Sequence, residues 1–148
     1  MDHGGFICNG TADLTAAELM PLDGAFEGAE PGKTIEMHWV YTSCDAAPGE
    51  GLGACVTEGC ENPVLRLQSQ VFLVVNDESA PDFQDYAYGD PDCGTHQSHM
   101  LPVGTGKPVI CRGSTTGPSY DEMTCSPLEV TWSVRPDCKR LSAQSLAM

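Results

Sequence analysis

Three segments of this chain alternate apolar and polar side chains with a period of two, and that pattern constrains the fold more than any other feature. In Thr34-Ile-Glu-Met-His-Trp-Val-Tyr-Thr-Ser-Cys44, Ile35, Met37, Trp39 and Tyr41 share one face, while Glu36, His38 and Val40 share the other. Val64 to Asn76 is longer, with Leu65, Leu67, Ser69, Val71, Leu73 and Val75 on one side and Arg66, Gln68, Gln70, Phe72 and Val74 on the other. In Leu128 to Arg135, Leu128, Val130, Trp132 and Val134 face inward, and Glu129, Thr131, Ser133 and Arg135 face the opposite way. Such registers predict Trp39 and Trp132 as core residues, with His38 and Thr131 on the far sides of their strands.

Between these strands lie turn and loop sequences. Gly24 to Lys33 is a Gly/Glu/Pro-rich loop, and Asp45 to Pro63 holds several glycines and prolines with two cysteines. Asp82 to Pro102 is acidic and aromatic, Lys107 to Arg112 reads as a short strand, and Gly113 to Pro118 as a turn. The one helix signal is Thr15-Ala-Ala-Glu18, a capping box that Pro21 cuts short after one or two turns. The expected architecture is therefore all-β: a disulfide-stapled sandwich or flattened barrel with long loops and at most one short helix. At 148 residues the chain fits a single domain spanning 1–148.

Eight cysteines are scattered along the chain: Cys8, Cys44, Cys55, Cys60, Cys93, Cys111, Cys125 and Cys138. Their even number and the absence of C-x-x-C pairs point to disulfides formed in an oxidising compartment, secreted, periplasmic or at a cell surface. Cys55 and Cys60 could close a small ring within their glycine-rich loop. Cys125 and Cys138 flank the last expected strand, which would hold them too far apart to bond. The formal net charge of -14 disfavours nucleic acid and anionic membrane surfaces as partners. No apolar run approaches the ~18 residues that a spanning helix needs. Met1-Asp-His-Gly-Gly-Phe6 has neither a basic nor an apolar leader region, so the expectation is a removed leader or a fragment of a longer precursor.

Chemistry-bearing residues are few. The four histidines are His3, His38, His96 and His99. His38 would project from a rigid strand beside a carboxylate, where a metal ligand is best held. Spacing alone nonetheless favours a structural role for a lone strand histidine. His96 and His99 fall in a loop, and His3 lies close to a terminus. Gly113-Ser-Thr-Thr-Gly117 places Thr115, not serine, at the position of a nucleophile elbow and lacks the strand-to-helix context, so it reads as a β-turn.

Several blocks together resemble the delta-class carbonic anhydrases and their bacterial relatives. They are Thr34-Ile-Glu-Met-His-Trp-Val-Tyr-Thr-Ser-Cys-Asp45, Pro48-Gly-Glu-Gly-Leu-Gly-Ala-Cys55, Gln70-Val-Phe-Leu-Val-Val-Asn-Asp77, Gly113-Ser-Thr-Thr-Gly-Pro-Ser-Tyr120 and Cys125-Ser-Pro-Leu-Glu-Val-Thr-Trp-Ser-Val-Arg-Pro136. The resemblance implies a zinc enzyme, exported in most cases, that interconverts carbon dioxide and bicarbonate through zinc-bound hydroxide and tolerates other divalent metals in some members. It makes His38 a metal ligand, whereas Glu36 inherits only proximity; the alternation places it on the same face, where it could orient a ligand. It adds His96 as a further ligand position, whereas His99 matches nothing in the family. The family pattern also carries a histidine-rich block upstream of the segment resembling Gly5-Phe-Ile-Cys8. The chain begins after that point, so either His3, His96 or His99 substitutes for ligands from that block, or the ligand set is incomplete and zinc binding weak.

Gln68, Gln70, Thr131 and Ser133 are candidates to line such a site, and Val40 to form part of a carbon dioxide pocket. The competing reading is a secreted, disulfide-rich β-sandwich that binds a partner without catalysis, or a catalytically inactive remnant.

Overall fold

The computed structural model describes residues 6–47, 52–86, 88–89, 97–98, 106–114 and 129–147. Its strands are β1 (Thr34–Thr42), β2 (Leu65–Val75), β3 (Tyr88–Gly89), β4 (Gln97–Ser98), β5 (Val109–Ser114) and β6 (Glu129–Ser142). The four longer ones form a single open sheet in the order β1-β2-β6-β5, while β3 and β4 pair separately. β1 runs antiparallel to β2, and β5 antiparallel to β6, but the central β2–β6 pair is parallel. The fold is all-β, as the alternation predicts, and its open sheet fits a sandwich, not a closed barrel.

β2 is the spine. Both of its faces are buried over most of its length, from Leu65 to Val75, because packed groups cover the sheet on both sides. On one face, Trp39, Phe72, Val74, Tyr86, Leu141, Ala143 and Leu146 form a cluster against which Ile35, Met37 and Tyr41 also pack. This is the β1 face expected to be apolar. On the other face the cover comes in two pieces. Cys8 and Leu14 pack over Val71, Leu73 and Val75. Cys55 and Trp132 pack against Leu65, Leu67 and Val130.

β1 is set in place by the loop before it. Gly32 takes a positive φ of 90° and its N–H donates to the Val74 carbonyl at 2.8 Å. A side chain there would meet Leu19 Cδ2 at 2.8 Å as well as a strained backbone.

β6 extends beyond the expected end at Arg135 and runs through Pro136 to Ser142. Proline lacks an N–H and ought to end a central strand. A bulge resolves this: Gln70 pairs with Arg135 and Phe72 with Lys139, so Val71 alone spans Pro136, Asp137 and Cys138. Gln70 repairs the interrupted ladder, its Nε2 donating to the carbonyls of Asp137 at 2.9 Å and Val71 at 2.7 Å.

Among the described residues two disulfides staple the sheet, Cys8–Cys138 and Cys44–Cys60, each with Cα atoms 5.9 Å apart. The second corrects the expected Cys55–Cys60 ring. Ser43 N–H donates to the Val64 carbonyl, and Val64 N–H to Ser43 Oγ, which draws the two ends of the β1–β2 connection together beside Cys44. Cys55 instead ends the short 3-10 turn Leu52–Cys55 and packs on the core. Cys138 lies inside β6, not beyond its end, and bonds Cys8. The expectation that all eight cysteines are disulfide candidates is corrected for Cys55 and Cys111, which are free thiols. Burial pushes the Cys55 thiol pKa up, which keeps it protonated. Cys93 and Cys125 lie outside the described residues.

The capping box forms as expected. Thr15 N–H and Oγ1 both donate to Glu18 Oε2 at 2.8 Å, and Glu18 N–H donates back to Thr15 Oγ1 at 3.2 Å. Only a turn follows, and among the described residues there is no α-helix.

Candidate functional site

His38 stands near the middle of β1, on the face opposite Trp39, flanked along its own strand by Glu36 and Val40. The sheet register decides what surrounds it. Ser69 of β2 lies directly across from His38, and Val134 of β6 lies beyond Ser69 in the same row. The next row is Val40, Leu67, Trp132 and Cys111. The row on the other side pairs Glu36 with Val71.

His38 Nε2 sits 3.2 Å from Glu36 Oε1, with both side chains about one-third exposed (39% and 31%). Two side chains two residues apart on a strand point the same way, so this contact follows from the backbone alone. The Trp132 ring meets the imidazole edge-on, with centroids 5.4 Å apart and planes at 88°. An aromatic edge on imidazole limits how that ring can turn. Beneath them Ser69 is fully buried, and its Oγ has no hydrogen-bond partner among the described residues.

The His38 row falls between the two patches of cover on this face. The segment bearing Cys8 and Leu14 closes one side, and the Cys55 turn closes the other. His38 is therefore held on a rigid strand, over a buried floor, with one edge open to solvent.

Two sequence expectations need correction here. Trp132 is not on the same side of the sheet as Trp39. Its Cα partner Leu67 pairs in turn with Val40, so it belongs to the His38 face, and it is partly, not fully, buried. Nor do Gln68, Gln70, Thr131 and Ser133 line the His38 site. The register puts them on the Trp39 face, where Arg135 Nη1 donates to Gln68 Oε1 at 2.9 Å and Gln70 serves the bulge. The cause is the same in each case. Period-two alternation separates the two faces of one strand, but only pairing decides which faces of different strands coincide.

Val40 does lie on the His38 face, and it is exposed. His96, His99 and His3 lie outside the described residues. Among the described residues no group of three or more His, Cys, Asp or Glu side chains comes together as a metal cage. Ser69 and Trp132 were missed from sequence as parts of this site. One signal was available: Ser69 is the single polar residue in the otherwise apolar run Leu65, Leu67, Val71, Leu73 and Val75.

The site joins an imidazole, a carboxylate beside it and a buried hydroxyl without a partner. Imidazole nitrogen and carboxylate oxygen are donor types that zinc accepts, but the described residues bring together fewer than the three protein ligands that a zinc site needs. No curated protein and no solved structure matches the chain. A family model described as delta carbonic anhydrase matches residues 1–145, a span that takes in the whole His38 site. The chain belongs to the delta carbonic anhydrase family.

Proposed function

We propose that this protein is a zinc-dependent carbonic anhydrase acting on carbon dioxide and bicarbonate, with His38 as a metal ligand. The observation that carries the reading is the family match over residues 1–145, which includes the strand bearing His38. The geometry supports it. His38 is held mid-strand, and Glu36 stands 3.2 Å from Nε2, where it can fix the ring and raise its basicity, leaving Nδ1 as the nitrogen that would bind the metal. His96 is the second ligand expected from the family pattern.

Zinc, when bound, supplies a Lewis acid that makes hydroxide available near neutral pH. The chain's own groups do the rest. His38 would hold the cation at a fixed place on the sheet, with Glu36 orienting its imidazole. The apolar wall of Val40, Leu67 and Trp132 offers carbon dioxide, a molecule without charge or dipole, a surface that water does not compete for. The open edge beside His38 lets bicarbonate leave. Export to an oxidising compartment is part of the same reading, supported by the two disulfides.

The test is zinc content and carbon dioxide hydration in variants of the full-length protein. His38→Ala is expected to lose stoichiometric zinc and turnover together, because removing one neutral imidazole leaves too few ligands for a tetrahedral site. Glu36→Gln is expected to weaken metal binding or activity by roughly 10–100-fold. His99→Ala should change neither. If His38→Ala keeps its zinc and its hydration rate, His38 is structural and the reading fails.

A further inference from the structure

Three of the chain's four arginines, Arg66, Arg112 and Arg135, come to one face of the sheet. It is the Trp39 face, at the end beyond the core cluster, where Arg66, Ile110 and Arg112 are exposed. Tyr41, Arg66, Thr131 and Arg112 form one row across all four strands, and Trp39, Gln68, Ser133 and Ile110 form the next. Arg135 lies one row further and reaches back to Gln68. Two strand spacings, roughly 10 Å, separate the backbones of Arg66 and Arg112.

The chain carries 21 acidic residues against seven basic ones, so a guanidinium has many carboxylates to choose from. Arg140, on the opposite face, takes one by pairing with Glu18. Arg66, Arg112 and Arg135 meet none among the described residues. Arg66 instead lies over the Tyr41 ring, 4.9 Å from its centroid, and Arg135 donates to Gln68 Oε1 at 2.9 Å. Glu129 is the one carboxylate that the strands place at this end of the face, across from Ser114, and it forms no ion pair among the described residues.

These arginines are held in place without being neutralised. Stacking on Tyr41 and bonding to Gln68 orient two of the guanidiniums before any anion arrives, which lowers the entropy cost of binding one. A guanidinium presents a planar fork that matches a carboxylate bidentately. With Arg66 leaning toward β1 and Arg112 on β5, one small anion does not reach both. The neighbours favour a polypeptide: Ile110 is 65% exposed and Tyr41 half-buried, and apolar and aromatic side chains among arginines are the make-up of a protein-binding surface. Nucleic acid and other densely charged polyanions are opposed by the net charge of -14.

We propose that this arginine face docks an acidic segment of another protein, whose carboxylates are taken by Arg66, Arg112 and Arg135. Thr131, between Arg66 and Arg112 in the row, adds a hydroxyl that can donate to the same carboxylates. Neither zinc nor His38, which stands on the other face, is needed for this docking.

The experiment titrates the full-length protein into a fluorescein-labelled peptide of alternating glutamate and leucine and reads its anisotropy. The matching glutamine–leucine peptide, inorganic phosphate and heparin are the other probes, the last two as competitors. Arg66→Gln, Arg112→Gln and Arg135→Gln are each expected to weaken binding of the acidic peptide by roughly tenfold, the loss of one charge-assisted pair. Arg112→Lys should recover only part of that loss, since lysine keeps the charge without the fork. Glu129→Gln should tighten binding by removing a like charge. Arg140→Gln, which changes the net charge equally on the other face, should leave it unchanged.

A parental Kd above about 1 mM for the acidic peptide would overturn the proposal. An equal loss in Arg140→Gln would also overturn it, by reducing the effect to net charge. Equal affinity for the glutamine–leucine peptide would leave only apolar contact and reject the role of the arginines. Displacement by phosphate or heparin at lower concentration than by unlabelled acidic peptide would make the face a general anion patch and reject a protein partner. Should Arg66→Gln or Arg135→Gln fail to fold, Arg112→Gln decides, because Arg112 is exposed: a tenfold loss supports the docking face, and parental affinity rejects it.

Discussion

Trp39 carries two demands that few positions in a sheet can meet together. Its ring needs burial, and its indole N–H needs an acceptor. The fold supplies both: the ring packs with Phe72 and Leu141, and Nε1 donates to the Tyr86 carbonyl at 2.7 Å. Tyr86 is itself buried against Phe72, with ring centroids 5.5 Å apart. Trp39→Phe is therefore expected to cost about 1–3 kcal/mol, because it leaves a buried carbonyl without a partner. Trp39→Ala should cost about 3–5 kcal/mol by adding a cavity. Trp132→Ala should cost less than Trp39→Ala, since Trp132 is only partly buried. Urea unfolding of the three variants checks this order, and a Trp39→Phe loss below about 0.5 kcal/mol would put the position in the range of surface substitutions and reject the account.

The Thr15–Glu18 turn shows an element whose local chemistry is complete but whose length is not. Both halves of the capping box are made, yet Pro21 leaves no room for a helix to propagate. The turn also acts at a distance, since Glu18 forms an ion pair with Arg140 of β6 and its carbonyl accepts from Asn76 N–H. Hydrogen bonds from Thr15, first its backbone and then its side chain, hold the Glu18 carboxyl below its ordinary pKa of 4.5, and Arg140 adds to the effect. A carboxyl depressed in the folded state stabilises the fold above its unfolded pKa. That contribution disappears as pH falls through the depressed folded value. The parent should thus lose stability below about pH 4.5 in part through this group, and Glu18→Gln should show a shallower fall over that window with little change in slope at pH 6–7. Denaturant midpoints measured from pH 7 to pH 3 for both proteins test the point, and parallel curves would reject it.

At the scale of the molecule, the two disulfides among the described residues are not equivalent. Cys8–Cys138 closes a loop with a sequence separation of 130, whereas Cys44–Cys60 closes one of 16. On the chain-entropy account the longer loop contributes about 5 kcal/mol and the shorter about 3 kcal/mol. Cys8–Cys138 also ties the segment over Val71 and Leu73 to the β6 bulge, so its loss uncovers part of the core. A Cys8→Ser/Cys138→Ser double variant is expected to be less stable than Cys44→Ser/Cys60→Ser by about 2 kcal/mol in denaturant unfolding. The reverse order would show that the Cys8 segment adds little to the fold.

Fold class was legible in the sequence because strand alternation is a local property. Ile35 through Tyr41 pack where their spacing puts them, and β2 spans nearly the expected residues. The His38–Glu36 contact was legible for the same reason, since residues two apart on a strand must share a side. What lay beyond sequence reading was every relation between strands. The parallel pairing of β2 with β6 brings Trp132 over His38 and sends Gln68 and Gln70 to the other face, and nothing in either segment alone encodes that choice. The same holds for the β6 bulge, where a proline that reads as a strand end is tolerated because Gln70 reaches across from β2. Cysteine pairing followed the sheet too, as Cys60 bonds whichever thiol the β1–β2 connection brings within reach. Local periodicity assigns each side chain to a face of its own strand. Only non-local hydrogen bonding and packing decide which faces meet, and the buried hydroxyl beneath His38 exists only once they have met.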